Sequence, residues 1–239
     1  ALISAMNRYP NVYTGMNFDT QTSDVRKPID LPERLEIKLE NNSHVKIPQE
    51  YTNCRPILSE LLNGKVNVGM TNVTRNNDGI IRTVSPFIPY KGKYYPFMSF
   101  KAGADYLNES HNNEFTIDKF SNLLVSDTKI PLTKNGEAIL NWYGPSETHT
   151  MIPMYKLVNE MQGGQKSGYE FKDKIIIVGT TAMALQDNKS VPVQNNVYPG
   201  VEVHATFFNN MLDDNFIHKT STITNVLIIA GVIALVGAI

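Results

Sequence analysis

A single cysteine, Cys54, occurs in 239 residues. An internal disulfide and a cysteine-rich zinc site are therefore both excluded. Nor is there an excess of either charge: 22 basic and 23 acidic side chains leave a net charge of −1. The chain as a whole exerts no pull on nucleic acid or on an anionic membrane surface. Low-complexity tracts and internal repeats are missing. With 41% hydrophobic residues, the composition excludes a disordered, collagen-like or coiled-coil chain. The length suffices for one sizeable core or two small ones. Three catalytic signatures are absent as well: G-x-S-x-G, H-E-x-x-H and G-x-G-x-x-G. Gly163-Gly-Gln-Lys-Ser167 ends like a phosphate loop, but Gln165 stands where the glycine before the lysine belongs. It also precedes a strand-like run instead of following one, so no helix N-terminus would face a phosphate.

What is present reads as alternating helices and strands. Leu2, Ile3 and Met6 have helical spacing, Pro10-Asn11 breaks it, and Val12 to Met16 is strand-like. Such a helix feeding directly into a strand is the pattern of a chain entered inside an α/β unit. Residues 24–33, with Pro28 and Pro32, read as a loop, and Leu35 to Leu39 as a short alternating strand. Asn41 to Ser43 is a turn, Arg55 to Leu62 a short helix, and Lys65 to Thr71 a strand. Asn76-Asn-Asp-Gly79 signals a tight turn between two strand-like runs, the second from Ile80 to Pro89. Tyr90 to Lys93 turns again, Tyr94 to Phe97 returns, and Phe100 to Leu107 is helical. Residues 108–113 form a polar loop. Ile130 and Leu132 around Pro131 mark an edge segment. Asn135-Gly136 is a turn, and Ala138 to Tyr143 is strand-like up to Gly144-Pro145.

In the second half, Ile152 to Met161 is a helix with Leu157, Val158 and Met161 on one stripe. The run Lys174 to Gly179, Lys-Ile-Ile-Ile-Val-Gly, predicts a strand covered on both faces. Val201 to Leu212 is a helix entered through Pro199-Gly200, with Val201, Ala205, Phe208 and Leu212 as its apolar stripe. The fold class expected is α/β: one domain over 1–220, with a mixed β-sheet flanked by helices and an antiparallel meander in the middle. The run from Val226 to Ile239 carries no charge. As a helix it is about 21 Å long, short of the roughly 30 Å of a bilayer core. It predicts the start of a transmembrane helix over 221–239, against the alternative of a buried terminal helix. Gly231, Ala234, Gly237 and Ala238 suit close helix contacts in lipid.

One constellation carries candidate chemistry. Beyond the predicted buried strand lie Gly179, Thr180 and Thr181, where ligands sit in open α/β sheets. Asp187, Pro192, Pro199, Gly200, Glu202 and His204 follow. The positive end of a helix dipole lowers the pKa of a histidine there, so His204 is expected to be neutral and hydrogen-bonded. Asp187 would accept a hydrogen bond from it or from loop amides. Two readings stand. Thr180, Thr181, Asp187 and His204 form a ligand or proton site, or Asp187 and His204 only tie the 180–200 loop to the helix. Glu202 and His204 point to different helix faces, against a metal site there. Asp78-Gly79 with Arg82 is a recognition turn or an ordinary hairpin turn. Trp142-Tyr143 is a ligand wall or a pair of core aromatics. Neither a catalytic residue, a metal nor a cofactor is expected.

The segment from Phe171 to Ala182, then Asp187, Pro192 and Tyr198-Pro-Gly-Val-Glu-Val-His-Ala205, resembles the type-2 CHASE domain, a cyclase/histidine-kinase-associated sensory extracellular domain. Gly64-Lys-Val-Asn67 with Asn77-Asp-Gly-Ile-Ile-Arg82 is similar to the family's hairpin, and Asn141-Trp-Tyr-Gly-Pro145 to its Asn-Tyr-x-Gly-Pro stretch. The family's opening βα portion has no counterpart here, which implies that strands of the same sheet lie upstream of Ala1. The resemblance implies an extracytoplasmic sensor facing outward from the inner or plasma membrane of a bacterium. Transmembrane helices and a cytoplasmic nucleotide cyclase, diguanylate cyclase or kinase would follow. It also implies that Asp187, Pro192, Gly200 and His204 are characteristic positions. The expected partners are a small-molecule or ionic signal, the membrane and a second copy of the chain, with no nucleic acid. The competing readings are a structural dimerisation module without a ligand and a small hydrolase using Asp187 and His204. The hydrolase lacks a nucleophile and a third positioned group.

Overall fold

Residues 2–19, 28–55, 57–107, 113–164, 168–181 and 187–237 are described by the computed structural model of the chain. Helix α1 (Leu2–Met6) leads into β1 (Tyr13–Asp19). A 3-10 turn at Glu33–Leu35 precedes β2 (Lys38–Asn41) and β3 (Asn53–Arg55). Then come α2 (Ser59–Leu62), β4 (Asn67–Met70), β5 (Thr83–Val84), β6 (Phe87–Tyr90), β7 (Lys93–Pro96) and α3 (Met98–Tyr106). Four strands follow: β8 (Glu114–Ile117), β9 (Asn122–Val125), β10 (Thr128–Pro131) and β11 (Ala138–Ile139). The chain continues through α4 (Met154–Gln162), β12 (Asn188–Val191), β13 (Gln194–Pro199), α5 (Gly200–Leu212) and α6 (Thr222–Gly237). The expected loop at 24–27, the polar loop at 108–112 and the Gln165–Ser167 part of the loop-like motif lie outside the described residues.

The architecture is α/β, but the strands make several small sheets, not one mixed sheet. In the first, β1 pairs parallel with β4 and antiparallel with β3. In the second, the order is β10-β9-β8-β2, with β2 parallel to β8 and the other pairs antiparallel. Pro131 lies on the edge strand β10, as its missing N–H requires. The β6–β7 hairpin turns through Lys91 and Gly92, both at positive φ, the geometry whose twist matches the flanking strands.

The core is organised by α3 and α5. Phe97, Phe100, Phe207, Tyr90, Tyr198 and Met70 are all fully buried in it. On α5 the innermost line is Val203, Phe207 and Met211, one helical turn apart each time. The predicted stripe of Val201, Ala205 and Leu212 is instead half-buried, and only Phe208 of that set is buried. The hydropathy pattern chose the wrong face because the true inner face also carries Glu202, His204, Thr206 and Asn210.

Helix α3 approaches β4 so closely that a Cβ on Gly69 would stand 2.4 Å from the Met98 Cα and 2.8 Å from its N. Backbone cannot swing away as a side chain can. Gly69→Ala is therefore expected to push the first turn of α3 off the sheet and lower stability by about 2 kcal/mol. A guanidinium melt would read this as a lower midpoint at an unchanged slope. An unshifted midpoint would mean that the helix moves freely over β4.

Three further expectations are corrected. The run Lys174 to Gly179 forms no strand; Ile175, Ile176 and Val178 are 50%, 57% and 72% exposed. Among the described residues the run pairs with no strand, and β-branched side chains favour strands only when neighbours are there to pack against. The helix expected from Arg55 is preceded by β3, which takes Asn53–Arg55, and begins only at Ser59. The runs either side of the Asn76–Gly79 turn do not pair with each other: β4 joins β1, and β5 joins β11. Among the described residues, no helix is long and apolar enough to cross a membrane. The apolar run forms α6, 16 residues or about 24 Å, exposed on every side from Ile223 to Gly237.

Candidate functional site

The polar residues singled out around the helix 201–212 gather at the N-terminus of α5. Pro199 is its N-cap, where the missing N–H costs nothing. The preceding hairpin, β12 with β13, brings Asn188 opposite Pro199 and Lys189 opposite Tyr198. This hairpin occupies what read in the sequence as loop, and Pro192 sits exposed in its turn. The Asp187 carbonyl accepts the Gly200 N–H at 2.8 Å. Its carboxylate lies against the same glycine: a Cβ there would be 2.5 Å from both Oδ atoms. Lys189 Nζ pairs with Asp187 Oδ1 at 3.1 Å. An anion is thus built into the positive end of the α5 dipole.

His204 lies one turn further in and is 7% exposed. Its Nδ1 is 2.9 Å from Ser99 Oγ in the first turn of α3. Its ring stacks on Phe97, with centroids 4.4 Å apart and planes 10° off parallel. Burial, and then the Lys189 charge, lower its pKa to about 4. The imidazole is hydrogen-bonded, and desolvation, more than the helix dipole, is what disfavours its cation. Among the described residues Asp187 and His204 share no hydrogen bond. Thr180 and Thr181 are exposed and have no hydrogen-bond partner among the described residues. Gly179 lies close against α5: a Cβ on it would meet Val201 Cβ at 2.5 Å. Without a strand at 174–179, the sheet-end argument for Thr180 and Thr181 loses its premise.

Glu202 was passed over as a site residue. It is 2% exposed. Oε1 accepts Ser146 Oγ–H at 2.8 Å and the Glu147 N–H at 3.2 Å. Oε2 is 3.5 Å from His149 Nδ1, whose Nε2 is 3.1 Å from Asn209 Nδ2. Glu147 has φ 71°, a conformation that costs a non-glycine residue about 1 kcal/mol or more. One signal was available: a lone glutamate on the helix stripe adjoining Val203. The neighbouring Asn141 of the Asn-Trp-Tyr-Gly-Pro stretch is held in the same way. Its N–H donates to Asn210 Oδ1 at 2.8 Å, and its carbonyl accepts from Asn210 Nδ2 at 2.9 Å. Trp142 is half-buried against the core and meets Tyr198 edge-on. Tyr143 is more exposed and donates to Asp213 Oδ2 at 2.6 Å.

The Asp78 turn is a self-contained unit. Gly79 has φ 80°. Arg82 forks onto Asp78 through Nη1–Oδ1 at 2.9 Å and Nη2–Oδ2 at 2.8 Å, which holds the Asp78 carboxyl below the usual carboxylate range. The turn touches the α5 hairpin, where the Ile81 N–H donates to the Ser190 carbonyl at 2.8 Å. Among the described residues, no group of His, Cys, Asp and Glu is arranged to hold a metal ion.

The turn, the Asn-Trp-Tyr-Gly-Pro loop and the α5 entry thus meet in one region, although they are far apart in sequence. The family model of the CHASE2 domain matches residues 1–239. The chain belongs to the CHASE2 family. CHASE2 domains are sensory extracellular domains of signalling receptors and not catalytic units. No curated protein and no solved structure matches this CHASE2 domain. Of the positions that the resemblance singled out, Gly200 and His204 lie in the first turns of α5 and Asp187 packs against Gly200, whereas Pro192 stands apart in the hairpin turn.

Proposed function

We propose that this CHASE2 domain is the ligand-sensing input of a membrane-bound bacterial receptor, facing the extracytoplasmic side as a homodimer. Its output would be a cytoplasmic nucleotide cyclase, diguanylate cyclase or kinase, reached through membrane-crossing helices. The observation that carries this reading is the way the core joins α6. The Ile217 N–H donates to the Ile139 carbonyl of β11 at 3.2 Å. The chain then runs through 218–221 into a helix that is apolar and exposed all round. Such a helix in water is unfavourable at ~25 cal/mol per Å² of apolar surface, and lipid removes that cost. A shift in β11 or α5 has a short covalent route to the membrane-facing element. The hydrolase alternative loses ground, since His204 is spent on Ser99 and Phe97 inside the core.

The test is a thermal-melt screen of the full chain in lipid nanodiscs against metabolites and ions, followed by hydrogen exchange with any hit. A signal ligand is expected to raise the melting temperature with dose and to change exchange at 213–221. A library without hits, or a hit that leaves 213–221 untouched, would remove this reading.

A further inference from the structure

We infer that the groove beside the Asp78 turn is the signal site, and that its ligand is a small zwitterion of the α-amino acid class. This rests on the sensory reading above and names the ligand for it. The groove has a volume of about 590 Å³ and lies between two turns, 75–82 on one side and 135–137 on the other. The groove is open to solvent and its lining is mostly polar, which suits a small charged ligand and not an apolar one. Both walls are held by their own hydrogen bonds. On one side, Gly79 N–H donates to the Asn76 carbonyl at 2.8 Å and Arg82 N–H to Asn76 Oδ1 at 3.2 Å. On the other, Gly136 N–H donates to the Thr133 carbonyl at 3.0 Å and Thr133 N–H to the Glu137 carbonyl at 2.8 Å.

The two positive and two negative side chains of the lining are not all paired with each other. Arg82 and Asp78 are consumed by each other. Arg75 also lines the groove and has no hydrogen-bond or ion-pair partner among the described residues. Glu137 lines the opposite wall, with Oε2 taken by Thr83 Oγ1–H at 3.1 Å and Oε1 unoccupied by any described residue. One free cation and one free carboxylate oxygen on facing walls complement a carboxylate and an ammonium on one small molecule. A guanidinium fork matches a carboxylate in geometry as well as in charge. Asn77 and Asn135 also line the groove, and their carboxamides, which have no partner among the described residues, can offer donors and acceptors to a polar side chain.

The groove is wired to the rest of the domain. Glu137 directly precedes β11, whose Ile139 binds Ile217 ahead of α6. Ile81, next to Arg82, binds Ser190 of the hairpin that carries Lys189. A ligand that draws the two turns together acts on both connections at once.

The experiment is calorimetric titration of the full chain in nanodiscs with the common L-amino acids. N-acetyl and carboxamide derivatives of any binder follow, each lacking one of the two charges. The expected result is saturable binding of at least one polar amino acid. Blocking either charge, or substituting Arg75→Gln, is expected to weaken it by about tenfold or more, as for a lost charge-assisted hydrogen bond. The apo melting temperature should stay unchanged in Arg75→Gln, because that side chain holds nothing. Binding of no amino acid, equal binding of a blocked derivative, or undiminished binding to Arg75→Gln would each overturn the assignment. A different ligand that still binds the Arg75→Gln chain moves the signal site elsewhere and leaves the sensory reading intact. Absence of any ligand removes both.

Discussion

Glu202→Ala is expected to destabilise the domain by about 3–4 kcal/mol. The carboxylate is almost completely buried and gathers a hydroxyl, a backbone N–H and an imidazole from one loop, 146–149. Truncation leaves the Ser146 hydroxyl and the Glu147 N–H without an acceptor and opens a cavity under them. It also frees Glu147 from the bond that accompanies its positive φ. Glu202→Gln keeps one oxygen where both donors converge and loses only the attraction to His149, so about 1–2 kcal/mol is expected. Urea denaturation of the two variants at neutral pH measures both figures. A double-mutant cycle with Ser146→Ala should show coupling of 0.5 kcal/mol or more, roughly the threshold that separates contacting from distant pairs. Equal losses for Gln and Ala, or a cycle with no coupling, would mean that the glutamate fills space and does not hold the loop.

That dependence was hard to see in the sequence, and the reason is physical. Hydropathy ranks residues by what burial costs when nothing compensates. On α5 the inner face is polar at Glu202, Thr206 and Asn210, and Glu202 and Asn210 are compensated by partners 55–69 positions away. Only the fold supplies those partners, so hydropathy places the stripe at Val201, Ala205, Phe208 and Leu212, of which only Phe208 is buried. Locally encoded features were legible. The Lys91-Gly92 turn, the α5 entry at Pro199 and the edge position of Pro131 follow from backbone chemistry alone. Lys174 to Gly179 failed in the opposite direction: its propensity is strong, but a strand exists only in a ladder, and the described residues provide none. The candidate site was legible as a set of residues around α5, because Asp187, Gly200 and His204 do converge there. Their roles were not, since the partners that decide them, Lys189, Ser99 and Phe97, carry no signal in spacing.

The second large effect is a pH dependence set by His204. In the unfolded chain an imidazole titrates near 6.5; in the folded domain burial and the Lys189 charge lower the value to about 4. Above pH 6.5 both states hold the ring neutral, and the full stability is present. As pH falls from 6.5 towards 4, the unfolded chain takes up a proton that the folded one refuses. Stability therefore declines over this window and levels off, for this group, below about 4. At 1.36 kcal/mol per pKa unit the loss amounts to roughly 3 kcal/mol. Exposed carboxylates such as Asp30 and Asp78, paired with Lys91 and Arg82, lose their own contributions as pH falls through their lowered pKa values, in any variant. The comparison must therefore be between the chain and His204→Gln, which keeps a donor and an acceptor near Ser99 but cannot titrate. Urea midpoints measured from pH 4 to 8 should fall more steeply for the chain than for His204→Gln. The variant should be the less stable of the two at pH 7.5, and the gap should narrow as the pH drops. Parallel curves would show that His204 takes up its proton in the folded state as readily as in the unfolded one, and that the Phe97 stack and the Ser99 contact open to admit it.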